Sequence, residues 1–452
     1  MKFVLQPGGS VTGAIRVPGD KSVSHRSIML GAIAEGVTDI TGFLEGEDAL
    51  STLNAFRAMG VTIEGPHDGH VVVHGVGLHG LKAPDGPLDM GNSGTSMRLL
   101  SGLIAGQSFA ATLTGDVSLS KRPMERVAKP LRLMGAVIET QEGGRPPLTI
   151  KGPASTGQGR LKGVHYDLPM ASAQVKSCLL LAGLYADGET SVTEPAPTRD
   201  HTERMLGGFG YPVERRGPAT VAVRGGGRLR GTNIEVPADI SSATFFMVAA
   251  AIAPDSDVTL THVGINPTRI GVINILKAMG ADLTLLNERE VGGEPVADIR
   301  VRHAPLKGID IPEDQVPLAI DEFPALFIAA ACAEGTTVLR GAEELRVKES
   351  DRIQVMAEGL HTLGIDAEPT PDGIVIVGGS AAGGGVFGGG TVHSHHDHRI
   401  AMAFAVAALR ARAPIVIENC DNVATSFPNF VELAGRAGIR IQVDGRVDEA
   451  AQ

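Results

Sequence analysis

The sequence predicts a two-domain α/β protein made of six similar repeats, three in each domain, with helices inside and strands around them. Three observations support this fold class. An apolar residue followed by glycine recurs along the chain, an apolar helix rich in small residues precedes it each time, and VPGDKS at 17–22 returns as VPADIS at 236–241. The 452 residues also exceed the size at which a single core keeps growing. We therefore expect one domain of residues 20–236 and another of residues 1–19 with 237–452.

The first repeat shows the order of elements that the others follow. After a short strand, a polar turn opens a buried helix at Ile28–Ala34, and a β-branched strand follows at Val37–Thr41. An amphipathic helix then runs from Asp48 to Met59, and Gly60 ends it. In the later repeats an apolar residue and a glycine end the second helix at Met134-Gly135, Phe209-Gly210, Met279-Gly280, Leu363-Gly364 and Ala437-Gly438.

The first helix of each repeat should be buried on every side. Segments such as Phe245–Ala251 carry almost no polar face, and a helix that is apolar all round must be enclosed by protein. Strands are therefore expected outside these helices. In the later repeats, these helices begin near Ser96, Ser172, Ser242, Pro324 and His398.

Composition narrows the classes of partner and the compartment. The formal net charge of −11 argues against nucleic acid or an anionic membrane surface as a partner. The N-terminus lacks the apolar region of a signal peptide, and the longest apolar runs are too short to span a bilayer. Cys178, Cys332 and Cys420 lie far apart without metal-ligand spacing, so we expect buried reduced thiols in a soluble cytoplasmic protein. The glycine-rich stretch 381–390 is expected to be a flexible loop.

Polar motifs collect at the N-terminal ends of the buried helices. Free backbone N–H groups and the helix dipole make such ends ready anion sites, and several ends facing one cleft would attract phosphate and carboxylate even in an acidic protein. The fourth repeat, with ISSATFF and NPTR, is the least equipped. The motifs are Lys21, Ser22 and Arg26; GNSGTSMR at 91–98 with KRPM at 121–124; MASAQVKS at 170–177 with TRDH at 198–201; IDEFP at 320–324 with LRVKESDR at 345–352; and DHR at 397–399.

At these motifs, from Lys2 to Val443, the chain resembles the 5-enolpyruvylshikimate-3-phosphate (EPSP) synthase family. PGDKSxSHR, NxGTxxR, KRPM, ASAQVKS, RVKESDR and DHR stand in the family's order, and MASAQVKS, TRDHTE and ATSFP resemble its branch that includes glyphosate-tolerant enzymes. The resemblance implies transfer of the enolpyruvyl group of phosphoenolpyruvate to the 5-hydroxyl of shikimate 3-phosphate, with release of phosphate. It also implies the inverse α/β barrel of the enolpyruvyl transferases, with three βαβαββ repeats per domain and no cofactor.

The resemblance assigns the proton transfers to two carboxylates. Asp321 handles the 5-hydroxyl, and Glu349 protonates and later deprotonates the methylene carbon, with Lys21 beside them. From the residues alone, Asp321 is equally readable as a helix N-cap and Glu349 as a solvated helical carboxylate. The resemblance places these carboxylates, and much of the phosphoenolpyruvate side, in the domain of residues 237–452, and shikimate 3-phosphate mainly in that of residues 20–236.

Cations and helix ends would bind the two substrates. The resemblance assigns Lys21, Ser22, Arg26, Ser172, Ala173, Gln174, Arg199, Asp321 and Lys348 to shikimate 3-phosphate, and Lys21, Gly94, Arg122, Gln174, Arg352 and Arg399 to phosphoenolpyruvate. Arginine forks bind such oxyanions bidentately, whereas lysine acts as a point charge. The alternatives are surface ion pairs, Arg352 with Glu349 or Lys348 with Asp351, and ordinary N-caps at Ser22 and Ser172.

Two positions bear on the phosphoenolpyruvate side. Tolerant members of the branch carry alanine where this chain has Gly94, so we expect a glyphosate-sensitive enzyme, because backbone must approach the ligand there. Many family members have lysine where ATSFP places Thr425, so Thr425 is not counted as a contact.

Other interpretations remain open at this point. HSHHDH at 393–398 resembles a metal-ligand set by composition, although the reaction needs no metal and we expect none. UDP-N-acetylglucosamine enolpyruvyl transferases share the architecture, but they carry a reactive cysteine near KRP-like residues, and Lys121-Arg122-Pro123 has no cysteine beside it. A noncatalytic protein using the same anion cleft would have no reason to keep Asp321 and Glu349. We expect a monomer.

Overall fold

The computed structural model describes residues 1–291, 293–379 and 385–444. The chain forms two compact units. The N-terminal unit comprises residues 19–236 together with 291–294, and the C-terminal unit comprises 1–18, 237–290 and 295–452. Residues 380–384, which include the first four residues of the glycine-rich stretch 381–390 expected as a loop, lie outside the described residues.

The described residues form helices in every repeat. In chain order the α-helices are α1 Lys21–Ile33, α2 Glu47–Ala58, α3 Gly94–Ala105, α4 Glu125–Leu133, α5 Ala173–Gly183, α6 His201–Gly208, α7 Ile240–Ile252, α8 Gly271–Ala278, α9 Val316–Ala319, α10 Phe323–Ala331, α11 Arg352–Thr362, α12 His398–Ala407 and α13 Phe430–Ala437. Short 3-10 turns precede several of them, including 320–322 before α10 and 343–347 before α11.

Most strands are short and lie in six small sheets. They are β1 Lys2–Leu5, β2 Thr12–Ile15, β3 Glu35–Thr41, β4 Thr62–His67, β5 His70–Val76, β6 Leu88–Asp89, β7 Ala111–Thr114, β8 Val137–Gln141, β9 Arg145–Lys151, β10 His165–Asp167, β11 Glu189–Thr193, β12 Glu214–Arg216, β13 Thr220–Arg224, β14 Asn233–Glu235, β15 Asp257–Gly264, β16 Asp282–Val291, β17 Glu294–Arg302, β18 Thr336–Leu339, β19 Asp366–Thr370, β20 Gly373–Val377, β21 Gly390–His393, β22 Ile415–Glu418 and β23 Ile441–Asp444.

Each repeat contributes one sheet, and the second repeat shows the common order most simply. Its strands run β6-β7-β9-β8, with β6 parallel to β7 and the other neighbours antiparallel. A buried helix connects the parallel pair, and an amphipathic helix connects β7 to the β8–β9 hairpin. The third repeat repeats this order as β10-β11-β13-β12. This is the βαβαββ pattern implied by the resemblance, and it is confirmed.

Some strands pair in the sheet of a repeat that is distant in sequence. β2, the strand that precedes α1 in sequence, pairs with β15 in the sheet of the fourth repeat. The place beside β3 is filled by β14, which lies just before the fourth repeat in sequence. Likewise β1 completes the sheet of the sixth repeat, between β22 and β23. The first and fourth repeats therefore do not take their parallel edge strand from the segment directly before their first helix.

The buried helices form the core of each unit, as expected. Every residue of α7 is buried, and α10 is buried throughout. In the later repeats these helices begin within two residues of the predicted positions, which is the usual uncertainty of a helix end. The start predicted for the first repeat, Ile28, is wrong, because α1 begins at Lys21 and the expected polar turn is itself helical. Leucine, isoleucine, phenylalanine and alanine on these helices pack against the inner faces of the sheets, so only the helix ends can carry polar chemistry. No helix in the described part of the chain is long and apolar enough to cross a membrane.

Candidate active site

A buried arginine joins three carboxylates in the C-terminal unit. Arg352 is the first residue of α11, and its side chain is 1% exposed. Its Nη1 donates to Asp321 Oδ1 at 3.2 Å and its Nη2 to Glu349 Oε2 at 2.8 Å. Its Nε donates to Asp397 Oδ2 at 2.8 Å. We call Arg352, Asp321, Glu349 and Asp397 the Arg352 cluster.

The segments at the beginnings of three consecutive helices, α10, α11 and α12, bring this cluster together. Asp321 lies in the 3-10 turn before α10, Glu349 lies between the 3-10 turn 343–347 and α11, and Asp397 is the N-cap of α12. Its Oδ1 accepts from the backbone N–H of Arg399 at 3.0 Å. Because all three elements are helix beginnings, their positive dipole ends add to the charge of Arg352 in stabilising the carboxylates.

Two further predicted cations lie beside Asp321. Lys348 Nζ is 3.5 Å from Asp321 Oδ1, and Arg399 Nη2 is 4.0 Å from Asp321 Oδ2. Every predicted site residue of the C-terminal unit therefore lies within this one neighbourhood. Lys348, Arg352 and Arg399 thus surround the partly exposed carboxylate of Asp321. An anionic substrate can bind here by competing with Asp321 for these cations.

The charges of the cluster depend on one another. Burial alone would lower the pKa of Arg352, but Asp397 and the other two carboxylates raise it above its usual value. Burial would raise the pKa of Asp397, yet the Arg352 guanidinium holds that pKa below its ordinary value. Both groups are thus charged at neutral pH, and Asp397, with no exposed side-chain surface, anchors Arg352 from the interior.

The structure decides between the local alternatives for these residues. Glu322, not Asp321, is the N-cap of α10, and Glu349 is bound to Arg352 rather than solvated. The predicted pairing of Arg352 with Glu349 is present, whereas Asp351 caps α11 and pairs with Arg346 at 2.7 Å, so a Lys348–Asp351 pair is not what holds this turn.

In the N-terminal unit, α1 presents Lys21 and Arg26 at its first turns. Lys21 forms an ion pair with Asp48 of α2. Arg26 is buried, and its guanidinium donates to Thr202 Oγ1 at 2.7 Å, to Ser177 Oγ at 3.1 Å and to the Ser22 carbonyl at 2.9 Å. Arg26 therefore ties α1 to α5 and α6. Asp20 is the N-cap of α1, so the N-cap interpretation of Ser22 is wrong.

The N-terminus of α3 lies against two arginines. A Cβ atom added at Gly94, the first residue of α3, would lie 2.7 Å from Arg122 Nη1 and 3.0 Å from Arg98 Nη1. Arg98 Nη1 donates to Gln174 Oε1 at 2.5 Å, and Gln174 Nε2 donates to Thr95 Oγ1 at 2.9 Å. Gln174 thus connects the beginnings of α5 and α3, which places the predicted residues Gly94, Arg122 and Gln174 together.

Ser172 and Ala173 stand at the beginning of α5. Ser172 caps the helix by accepting from the backbone N–H of Val175 at 3.3 Å, as the N-cap alternative predicts, and Ala173 is the first helical residue. Arg199 lies half-buried in the loop before α6. The adjacent Thr198 donates to Glu194, which pairs with the buried Lys176 of α5 at 3.0 Å. This anchors the loop that carries Arg199 to α5.

Comparison with known proteins identifies the family. A family model described as EPSP synthase (3-phosphoshikimate 1-carboxyvinyltransferase) matches residues 5–433. The 3-phosphoshikimate 1-carboxyvinyltransferase of Alkalilimnicola ehrlichii is 69% identical over 452 residues and 99% of each chain. That of Methylococcus capsulatus is 68% identical over 441 residues and 98% of each chain. The solved EPSP synthase of Acinetobacter baumannii is 66% identical, with a TM-score of 0.88 over 98% of this chain and 100% of its own.

The chain belongs to the EPSP synthase family. Its activity is the transfer of the enolpyruvyl group of phosphoenolpyruvate to shikimate 3-phosphate, as the sequence motifs predict. The enolpyruvyl transferase NikO from Streptomyces tendae, 19% identical with a TM-score of 0.77, shows the same fold. The alternatives of a UDP-N-acetylglucosamine enolpyruvyl transferase and of a noncatalytic binder are set aside by this family membership.

Beside the motifs of the EPSP synthase family, the structure adds residues that sequence reasoning missed. Asp48, Arg98 and Asp397 each contact a predicted site residue. Asp397 had a usable signal, since it directly precedes a buried helix within DHR. Arg98 had a weaker signal inside GNSGTSMR, whereas Asp48 had only its place in the first turn of an amphipathic helix.

Two expectations about the C-terminal end concern Thr425 and the histidine cluster. The Thr425 hydroxyl donates to the Asn422 carbonyl at 2.7 Å and the residue is buried, so its side chain serves a local turn. His393 Nδ1 lies 2.9 Å from Glu418 Oε2. Within the ranges that the structure describes, no group of three or more His, Cys, Asp and Glu is arranged to hold a metal ion.

Proposed function

We propose that the Arg352 cluster performs the proton transfers of the EPSP synthase reaction and that the helix beginnings of the N-terminal unit bind its phosphorylated substrates. One observation carries this proposal. A single buried guanidinium contacts both carboxylates that the reaction requires, at 3.2 Å for Asp321 and 2.8 Å for Glu349. Two carboxylates that are distant in sequence but held by one cation lie close enough to serve the two proton transfers of one reaction.

The reaction needs two proton-handling groups because it is an addition followed by an elimination. In the addition, O5 of shikimate 3-phosphate bonds to C2 of phosphoenolpyruvate, O5 loses its proton and the methylene carbon gains one. In the elimination, that carbon loses a proton and phosphate leaves from C2. We assign the O5 proton to Asp321 and the methylene proton to Glu349, and we place Lys21 beside the reacting groups.

Phosphoenolpyruvate brings a phosphate and a carboxylate, and the proposal gives it Lys21, Arg122, Arg352 and Arg399, with Gln174 and the backbone at Gly94. In the C-terminal unit the cations already face Asp321. An arriving phosphate therefore competes with Asp321 and Glu349 for the same positive groups. Binding would loosen these carboxylates from Arg352 and make them available for proton transfer.

Shikimate 3-phosphate is assigned mainly to the N-terminal unit. Its contacts in this proposal are Lys21, Ser22, Arg26, Ser172, Ala173, Gln174 and Arg199, with Asp321 and Lys348 from the C-terminal unit. The beginnings of α1 and α5 supply backbone N–H groups suited to phosphate, and Arg26 adds charge while holding α1 to α5. Arg26 is thus assigned both a positioning and an electrostatic role.

The direct test separates the two carboxylates. Phosphate release is measured with shikimate 3-phosphate as acceptor and with UDP-N-acetylglucosamine as control acceptor, and solvent deuterium entering the methylene group of phosphoenolpyruvate is followed by NMR. Glu349→Gln should lose both phosphate release and deuterium incorporation by about 100-fold or more. Asp321→Asn should lose phosphate release to a similar extent.

The matched control is Glu358→Gln. Glu358 lies on the exposed side of α11, and its Oε1 accepts a helix-surface hydrogen bond from Gln354 at 2.9 Å. Its activity should equal that of the unaltered enzyme. Deuterium incorporation at the normal rate in Glu349→Gln would show that another group protonates the methylene carbon, and the assignment would fall.

We further propose that the enzyme acts as a cytoplasmic monomer and that glyphosate inhibits it. Light scattering after size-exclusion chromatography should give the 46.9 kDa mass of one chain, and a mass of two chains would overturn the monomer. Inhibition by glyphosate should weaken as phosphoenolpyruvate is raised, since both carry a carboxylate and a phosphorus-centred anion.

A further inference from the structure

At the beginning of α7, charged side chains of the protein itself occupy the helix end. Asp239 is the N-cap, and its Oδ1 accepts from the Ser241 backbone N–H at 2.8 Å. Arg269, from the NPTR motif of the same repeat, donates from Nη2 to Asp239 Oδ1 at 3.1 Å and to Ser241 Oγ at 2.8 Å. This explains why the fourth repeat offers no exposed cationic motif.

The same cluster reaches the turn that carries Asp321. The Ser241 hydroxyl donates to Glu322 Oε1, and Glu322 is the residue directly after Asp321 in the 3-10 turn 320–322. We call Asp239, Ser241, Arg269 and Glu322 the α7 cluster. It links the first turn of α7 to the N-cap of α10.

Burial makes this connection specific. Ser241 and Glu322 are each 2% exposed, and Arg269 is 3% exposed. A buried carboxylate such as Glu322 is stable only with its hydrogen bonds in place, because water does not replace a lost partner. The Glu322 side chain is therefore held in one position, and with it the backbone of the turn.

The turn is consequently held from two sides through adjacent residues. Asp321 is bound by Arg352 of the Arg352 cluster, whereas Glu322 is bound through Ser241 to the α7 cluster. The Arg352 contact is the one that an anionic substrate competes for, as argued above. The α7 cluster has no part in that competition, since its residues are buried and engage one another.

We propose that Ser241, Arg269 and Glu322 are positioning residues for Asp321, which keep its carboxylate at the acceptor hydroxyl when substrate binding loosens the Arg352 contact. The inference rests on the proton-transfer role proposed for Asp321. These residues touch no substrate themselves. Their loss misplaces a reacting group rather than removing a binding group, and misplacement lowers turnover without weakening ground-state binding.

The experiment compares Ser241→Ala and Glu322→Gln with the unaltered full-length enzyme. In both variants kcat should fall by about 10- to 100-fold, while KM for each substrate stays within about twofold. Ser241→Thr, which keeps the hydroxyl, should recover most of the lost turnover. Ser242→Ala is the matched control, because Ser242 is an adjacent buried serine of α7, and its kcat should be unchanged.

Thermal unfolding of all variants sets an assay temperature at which each is fully folded. An unchanged kcat in folded Ser241→Ala and Glu322→Gln overturns the inference, and so does a kcat loss equal in Ser242→Ala. A rise in KM with normal kcat also overturns it, since that would be a binding role. Asp321→Asn in the same series tests the proposed function separately from this inference. Full activity in Asp321→Asn would overturn the proton-transfer role of Asp321 itself, whatever the α7 cluster variants show.

Discussion

Replacing Gly94 with alanine places a methyl group against the guanidinium of Arg122. The new Cβ would lie 2.7 Å from Arg122 Nη1 and 3.0 Å from Arg98 Nη1. Ordinary contact between such atoms is about 3.5 Å or more, so the Arg122 guanidinium must retreat by about 0.8 Å. Gly94 has a helical backbone in the first turn of α3, so alanine fits the backbone and the fold should persist.

The cost therefore falls on anion binding. A hydrogen bond to a charged group contributes about 1.5–3 kcal/mol, and a shift of this size forfeits a large part of one such bond. We expect KM for phosphoenolpyruvate to rise about 10-fold, since about 1.4 kcal/mol corresponds to a factor of ten. Glyphosate separates its two anionic ends by a longer chain than phosphoenolpyruvate does, so the methyl group should raise its inhibition constant more.

The assay is phosphate release at fixed shikimate 3-phosphate, with phosphoenolpyruvate and glyphosate varied together. Gly86→Ala is the control, because a Cβ there meets no atom within 4 Å, and both constants should stay unchanged. Tight inhibition of Gly94→Ala by glyphosate at unaltered affinity for phosphoenolpyruvate would refute the reasoning. It would mean either that the Arg122 guanidinium moves without loss of binding or that Arg122 binds neither ligand.

Three further predictions concern buried charge. Burial lowers the pKa of His25 well below its usual value, so below about pH 6.5 the unfolded chain binds a proton that the native state does not. The free energy of unfolding should therefore decrease as the pH is lowered through this range. His25→Gln should flatten that dependence in urea unfolding measured at a series of pH values. Arg352→Met leaves the carboxylates of its cluster without their shared cation, and urea unfolding at pH 7 should show a loss of about 3–5 kcal/mol. Lys176→Met leaves Glu194 and the buried Glu203 unpaired; we expect a loss of about 3 kcal/mol in the same measurement, and an unchanged midpoint would contradict the buried ion pairs.

The repeats, the buried helices and the family could be predicted from the sequence alone. Helices such as α7 and α10 are apolar on all sides, and that property depends on sequence alone, so their burial and approximate start could be predicted. The motifs at their ends carried the resemblance from which the site residues were predicted. Periodicity and local turn chemistry act over a few residues, which is why a single sequence reveals them.

The pairing of distant elements was decided only by the tertiary structure. Nothing local indicates that β2 joins β15 while β14 joins β3, because parallel pairing depends on how the chain crosses between the two units. Nor does the sequence show that Arg352 is shared among Asp321, Glu349 and Asp397, or that Ser241 binds Glu322. A buried charge takes its partners from whichever elements packing brings near, and packing is a property of the whole fold rather than of any segment.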